Sequence, residues 1–523
     1  MNSSTIVKEL MDSKSEKDLY DHLIKHFPSE TALLCGKRVQ VAPSTSFKLD
    51  KGYTVSQLPS AISSEVLLVN KNCYDRKDFI EFERGFGAAD NLHMILEGGK
   101  DNYKKFISGQ PDYVALTEEQ FNAMHEDYNK RLHNDDLKLA AFYMAAFNDV
   151  GKSEIILEAA SEITGEKILD HDKANAIIVS NEEARKKFYP ELALLNKNVQ
   201  ALICAAVGLD FNPMCFMQGE SPLYPVAQVS EAISKVPEAQ REDVFSLIKI
   251  EAATDLTAAR KHQAKGGATY NRYVHLGFED GFRKLHGLIE NKSPEEKSSE
   301  GQSPEKVYLS FINEHAQKVG LDVIQEQDIR ITLTRIALMI RATDKELGKL
   351  VLDVFNELKK NAPDLAEILI KELAINNLKY GEFKSLWMQY SPDALRIPTR
   401  ENKLKTPTPA EGLMLGLKIY ANVLKLAREQ VWTMNTACYM VQGRDLIPTI
   451  KDAVSQDNNK EAWDILYRAA QGELTIVEGH ARYKIPSKVQ TLKTVGSFPV
   501  SNDDSKKSKE SQQPITTNNP TLN

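Results

Sequence analysis

The chain has 523 residues, 42% hydrophobic and 27% charged, a balance that fits a globular protein too long for one ordinary core. Two or three domains are expected. The formal net charge of −7 argues against a general nucleic-acid binder, which would be basic, although small nucleotides stay admissible as substrates.

The five cysteines, Cys35, Cys73, Cys204, Cys215 and Cys438, include no Cys-x-x-Cys pair. Sparse, odd-numbered thiols fit a reducing compartment and give no support to a metal–thiolate knuckle. The polar, charged start from Met1 to Lys17 is not a secretory signal. No run of ~18 apolar residues predicts a transmembrane helix. A cytoplasmic location is the default expectation, and export without a cleaved signal is equally compatible.

Residues 1–75 predict a small α+β cap, with a helix over Glu16–His26 and strands at Lys37-Arg-Val-Gln-Val and Glu65-Val-Leu-Leu-Val, both rich in β-branched residues. Residues 76–290 read as helical, broken by turn signals at Gly98-Gly99, Gly109-Gln-Pro111, Asn212-Pro213 and Gly266-Gly267. Residues 291–304 contain no apolar side chain and predict a flexible linker. Residues 305–485 predict a C-terminal helical bundle, with Asp328–Arg341 and Glu411–Glu429 as its central, strongly apolar helices. A polar tail, 486–523, is expected to lack a fold. The fold class is therefore mainly α.

The most informative stretch runs from Asp136 to Lys152, Asp-Leu-Lys-Leu-Ala-Ala-Phe-Tyr-Met-Ala-Ala-Phe-Asn-Asp-Val-Gly-Lys. It reads as a buried helix ending in Asn148-Asp149 and stopping at Gly151. A carboxylate at the end of such a helix needs a partner, either a metal ion or a salt bridge. An ordinary helix end, with Gly151 as a left-handed stop, accounts for the same residues.

This stretch resembles the central motif of the HD-superfamily phosphohydrolases, where a helix ends in His-Asp and a short Gly-Lys turn follows. Asn148 stands where that family has His. The resemblance covers about 80–290 and implies an HD-like helical core. It also implies a divalent metal ion (Mn, Mg, Fe or Zn) that activates water for hydrolysis of a phosphate ester or phosphodiester. On that basis Asn148 and Asp149 are implied metal ligands, and Lys152 is placed to meet phosphate. Asn148 offers only an amide oxygen, a poor transition-metal ligand beside imidazole.

Asp255, in Lys249-Ile-Glu-Ala-Ala-Thr-Asp-Leu-Thr-Ala-Ala-Arg-Lys, resembles the family's late metal-binding Asp; an exposed acid paired with Arg260 or Lys261 is the plainer account. The early His is either His93, in Gly85-Phe-Gly-Ala-Ala-Asp-Asn-Leu-His, or His125, with His93 preferred for its apolar context. His171, within Asp170-His-Asp172, stands where several subfamilies carry an additional ligand, and the flanking Asp172 suits an orienting role. A helix start with an Asp cap explains the same triplet.

The Phe211–Pro222 loop is apolar enough to wall a pocket or to plug the core. The glycines at 85–87 and 265–267 lack a strand–helix context and are weak phosphate signals. The reading is metal-assisted phosphate-ester hydrolysis with a phosphate-containing small molecule as ligand. The alternative is a non-catalytic helical binding protein that contacts a protein partner. The Lys- and Asn-rich composition also resembles effectors of intracellular bacteria.

Overall fold

A helix apolar on every side belongs inside a bundle, and Asp135–Phe147 is such a helix: Leu137 and every residue from Leu139 to Phe147 are buried. The Asn134 side chain caps it by accepting from the Leu137 N–H, and Asp135 and Asp136 suit its first turn. The computed structural model describes residues 2–35, 47–48, 54–55, 80–168, 171–209, 216–220, 223–259, 265–289, 302–374, 395, 408–429, 460–477 and 480–483.

In chain order the helices are α1 (Ser3–Met11), α2 (Glu16–His26), α3 (Pro28–Cys35), α4 (Ile80–Glu97), α5 (Gly99–Ile107), α6 (Glu118–Arg131) and α7 (Asp135–Phe147). A 3-10 turn over Asn148–Lys152 leads to α8 (Glu154–Thr164), α9 (His171–Ser180), α10 (Glu182–Phe188), α11 (Pro190–Ala193), α12 (Lys197–Ala206), α13 (Leu223–Ser234), α14 (Arg241–Ala258) and α15 (Arg272–Leu285). Then come α16 (Pro304–Val319), α17 (Gln327–Met339), α18 (Lys345–Asn361), α19 (Pro363–Leu373), α20 (Pro409–Glu429) and α21 (Lys460–Ala470). The described strands form two antiparallel pairs: β1 (Phe47–Lys48) with β2 (Thr54–Val55), and β3 (Leu474–Val477) with β4 (His480–Tyr483). The protein is mainly α, as its sequence periodicity predicts.

Two apolar clusters fill the interior. The first runs from Ile6 to Leu338 and centres on α7, which packs against α1, α4, α12 and α14. The second runs from Ala316 to Leu474 through α17–α21. Helix α17 serves both, turning Ile331 and Leu338 to the first and Leu333, Ile336 and Met339 to the second. The buried Arg335 on the same helix donates to the carbonyls of Gly219 (2.7 Å), Glu220 (2.8 Å) and Leu373 (3.1 Å). Three carbonyls thereby share one charged donor group.

Helix α2 has the bounds read from the sequence, with Ser15 as its cap. Helices α1–α3 send Ile6, Leu10, Leu23, Phe27 and Leu33 into the first cluster. Phe27 meets the rings of Tyr143 and Phe147 edge-on at 5.3 and 5.4 Å. Of the Phe211–Pro222 loop, Phe216 plugs the core against Phe311, ring centroids 4.7 Å apart. The strands expected at 37–41 and 65–69, Asp170, most of that loop, residues 291–301 and the tail lie outside the described residues.

Candidate functional site

Two glycines set the geometry of the site. A Cβ on Gly85 would lie 2.2 Å from the Ala146 carbonyl oxygen, so only glycine lets α4 cross α7 this closely. A Cβ on Gly151 would lie 2.0 Å from the His171 carbonyl oxygen, so the turn after α7 abuts the start of α9. Gly151 thus serves close approach, not the left-handed stop its position suggested. Helix α14 supplies the third wall. Where α4, the end of α7 and α14 meet, Arg84, Gly85, Ala88, Ala145, Asn148, Asp149, Glu251 and Asp255 line a recess of about 250 Å³ that includes open solvent. Within it there is enclosed room for about one water-sized particle.

Arg84 spans the recess. One guanidinium nitrogen lies 3.1 Å from Asp255 Oδ1, and the other lies 3.5 Å from Asp149 Oδ2 and 3.3 Å from Glu81 Oε2. Lys152 Nζ adds contacts to Asp149 (2.8 Å) and Glu81 (2.9 Å). The Asn148 side-chain amide donates to Glu251 Oε1 at 2.6 Å, and the Asn148 backbone carbonyl accepts from the Asn175 side chain at 3.0 Å. His171 Nε2 stands 3.8 Å from Asp149 Oδ1 and 3.4 Å from Asp172 Oδ1.

The carboxyls divide by environment. Burial opposes ionisation of Asp149, whose side chain is 11% exposed, but Lys152, Arg84 and a hydrogen bond with Glu81 outweigh it and hold the group far below the usual range. Burial and the charge of Asp149 push Glu81 up, so Glu81 is the weaker acid of this pair. Withdrawal from water, then the charges of Asp255, Asp172 and Asp149, hold Glu251 well above its ordinary value. Desolvation also raises Asp255 against the pull of Arg84. Its side chain is nevertheless 49% exposed at the mouth, so water screens that effect and little weight falls on it.

Six residues singled out from the sequence therefore come together here: Asn148, Asp149, Lys152, His171, Asp172 and Asp255. His93 does not join them. Its Nε2 faces the Met11 carbonyl at 3.4 Å, and it lies nine residues beyond Arg84 on α4, roughly 13 Å along the axis. His125 is likewise elsewhere, with Nδ1 at 2.9 Å from the Ile95 carbonyl. Sequence reasoning missed Glu81, Arg84 and Glu251. Their signals were an acid and a base three residues apart just before Gly85, and an acid one turn ahead of Asp255.

The metal ion of an HD-type site does not fit this arrangement. Arg84 takes up both carboxylates that such an ion would join, and Asn148 turns its N–H donor toward Glu251. Among the described residues no three His, Cys, Asp or Glu side chains are grouped to hold a metal. Nor is any helix among the described residues long and apolar enough to cross a membrane.

Comparison with known proteins gives one relationship. The model of a family of unknown function, DUF6829, matches residues 49–466, and the chain belongs to that family. No curated protein and no solved structure matches.

Proposed function

We propose that this DUF6829 member is a non-catalytic helical binding protein whose acid-rich recess receives a basic group, a Lys or Arg side chain, of a protein partner. The carrying observation is Arg84 seated on both Asp149 and Asp255, the place where a hydrolase of the HD type holds its metal. With Glu81 and Glu251 both raised, the negative charge at the recess rests on Asp149, Asp172 and Asp255, which still outnumber the two fixed cations, Arg84 and Lys152, and favour an incoming positive charge over phosphate. Asp255 is the half-exposed carboxylate at its mouth, reachable from solvent. The test is fluorescence anisotropy of a labelled Lys/Arg-rich peptide against the full chain. Binding that weakens with salt and falls roughly tenfold in Asp255→Asn, about 1.4 kcal/mol, supports the reading. Absence of binding, or binding indifferent to Asp255, overturns it.

The convergence of Asp149, His171, Asp172 and Asp255 in one helical recess favours a second reading, metal-assisted hydrolysis of a phosphate ester. That reading requires Arg84 to leave the carboxylates. Hydrolysis of a phosphodiester on added Mn²⁺, lost in Asp149→Ala, is its signature and would displace the first reading.

A further inference from the structure

A second pair of carboxyls lies away from the recess, between α3 and α11. Glu30 is fully buried, and its Oε1 accepts from the Leu192 N–H (3.2 Å) and the Tyr143 hydroxyl (3.4 Å). Glu191 Oε1 accepts from the Ser29 hydroxyl at 3.1 Å. The remaining oxygen of each, Oε2, is buried with no hydrogen-bond partner. The two side chains interact directly, and leaving both acceptors orphaned in a low-dielectric contact is costly. One proton held between them satisfies both.

Among the described residues no cation is turned to the pair. Tyr143 on α7 and Tyr189 ahead of α11 face the pair, and both are neutral phenols. On α2, His22, Lys25 and His26 turn to Glu9. On α4 and the 3-10 turn, Glu81, Arg84, Asp149 and Lys152 are engaged at the recess. On α10, Lys186 pairs with Glu182 and Glu183, Arg185 donates to the Val179 carbonyl, and Lys187 lies over the Phe188 ring.

We propose that Glu30 and Glu191 share a single proton, which makes the docking of α3 onto α11 proton-linked. The helix stays latched while the pair is protonated and loosens as the proton leaves. Burial first, then the charge of Glu191, raises Glu30 well above its ordinary 4.5, in agreement with this geometry. An unfolded Glu releases its proton near that ordinary value while the folded pair retains it. The stabilisation is therefore complete below about pH 4.5 and is lost as pH rises through the folded value.

The test is the pH dependence of folding of the full chain, wild type against Glu30→Gln and Glu191→Gln. Each amide N–H permanently fills the place of the proton. Across the titration window the wild-type folding constant should fall about tenfold per pH unit relative to either variant. Hydrogen exchange of residues 28–35 should quicken with pH in the wild type only. Parallel pH slopes in all three proteins overturn the proposal. A chelator that lowers wild-type stability also overturns it, since a cation would then hold the pair. Failure of both Gln variants to fold at any pH does so too, because a neutral pair is what the proposal requires; if only one fails, the other carries the comparison.

Discussion

Arg84→Met removes the guanidinium while keeping most of its aliphatic stem. Stripping one partner from a buried ion pair costs about 3–5 kcal/mol, and exposed pairs are worth about 0.2–1 kcal/mol. The site falls between these limits. Asp149 is nearly buried but keeps Lys152 at 2.8 Å, and Asp255 is half in water. The expected loss at pH 7 is therefore about 2 kcal/mol, read from urea unfolding. The difference should narrow as pH is lowered, because without Arg84 the Asp149 carboxylate takes up a proton at a higher pH than in the wild type and then needs no cation. The freed carboxylates should also gain affinity for a divalent ion. Millimolar Mn²⁺ should raise the melting temperature of the variant and leave the wild type unmoved. A variant within about 0.5 kcal/mol of wild type at pH 7 would refute the account of Arg84, because harmless surface changes fall in that range.

Gly151→Ala drives a new Cβ into the His171 carbonyl, so thermal unfolding should show a loss of about 1–3 kcal/mol, with the His171 imidazole NMR signals displaced. Lys249, only 4% exposed, joins Asp127 at 2.9 Å and Glu279 at 2.7 Å. Lys249→Met should cost about 3 kcal/mol in urea unfolding, at the lower end for a broken buried pair because Arg131 still serves Asp127. Glu251→Gln keeps the acceptor for Asn148 but cannot ionise. Since the folded Glu251 value is raised, wild-type stability falls as pH climbs above about 4.5, and the variant should overtake the wild type toward pH 8 in paired melts.

The helices were legible in the sequence because their signals are local. The apolar run from Asp136, the helix read over Glu16–His26, and the apolar helices read over Asp328–Arg341 and Glu411–Glu429 each mark an element without reference to the rest of the chain. The site was half legible. Asn148 and Asp149 stand out as polar residues ending an apolar helix, and Asp255 as an acid among alanines. Arg84 was not legible, since its meaning lies in a contact across 171 residues with Asp255. The same holds for Gly85 and Gly151, whose necessity appears only against Ala146 and His171. His93 misled because an apolar helical context marks burial, and a buried imidazole settles for a backbone carbonyl as readily as for a metal.

Elemental analysis of the full chain after equilibration with Mn²⁺ and desalting tests the central claim most directly. With Arg84 bridging Asp149 and Asp255, the wild type should retain far less than one ion per chain, and Arg84→Met should retain more. Retention near one ion per wild-type chain, abolished in Asp149→Ala, would contradict the account and restore a metal centre at this recess.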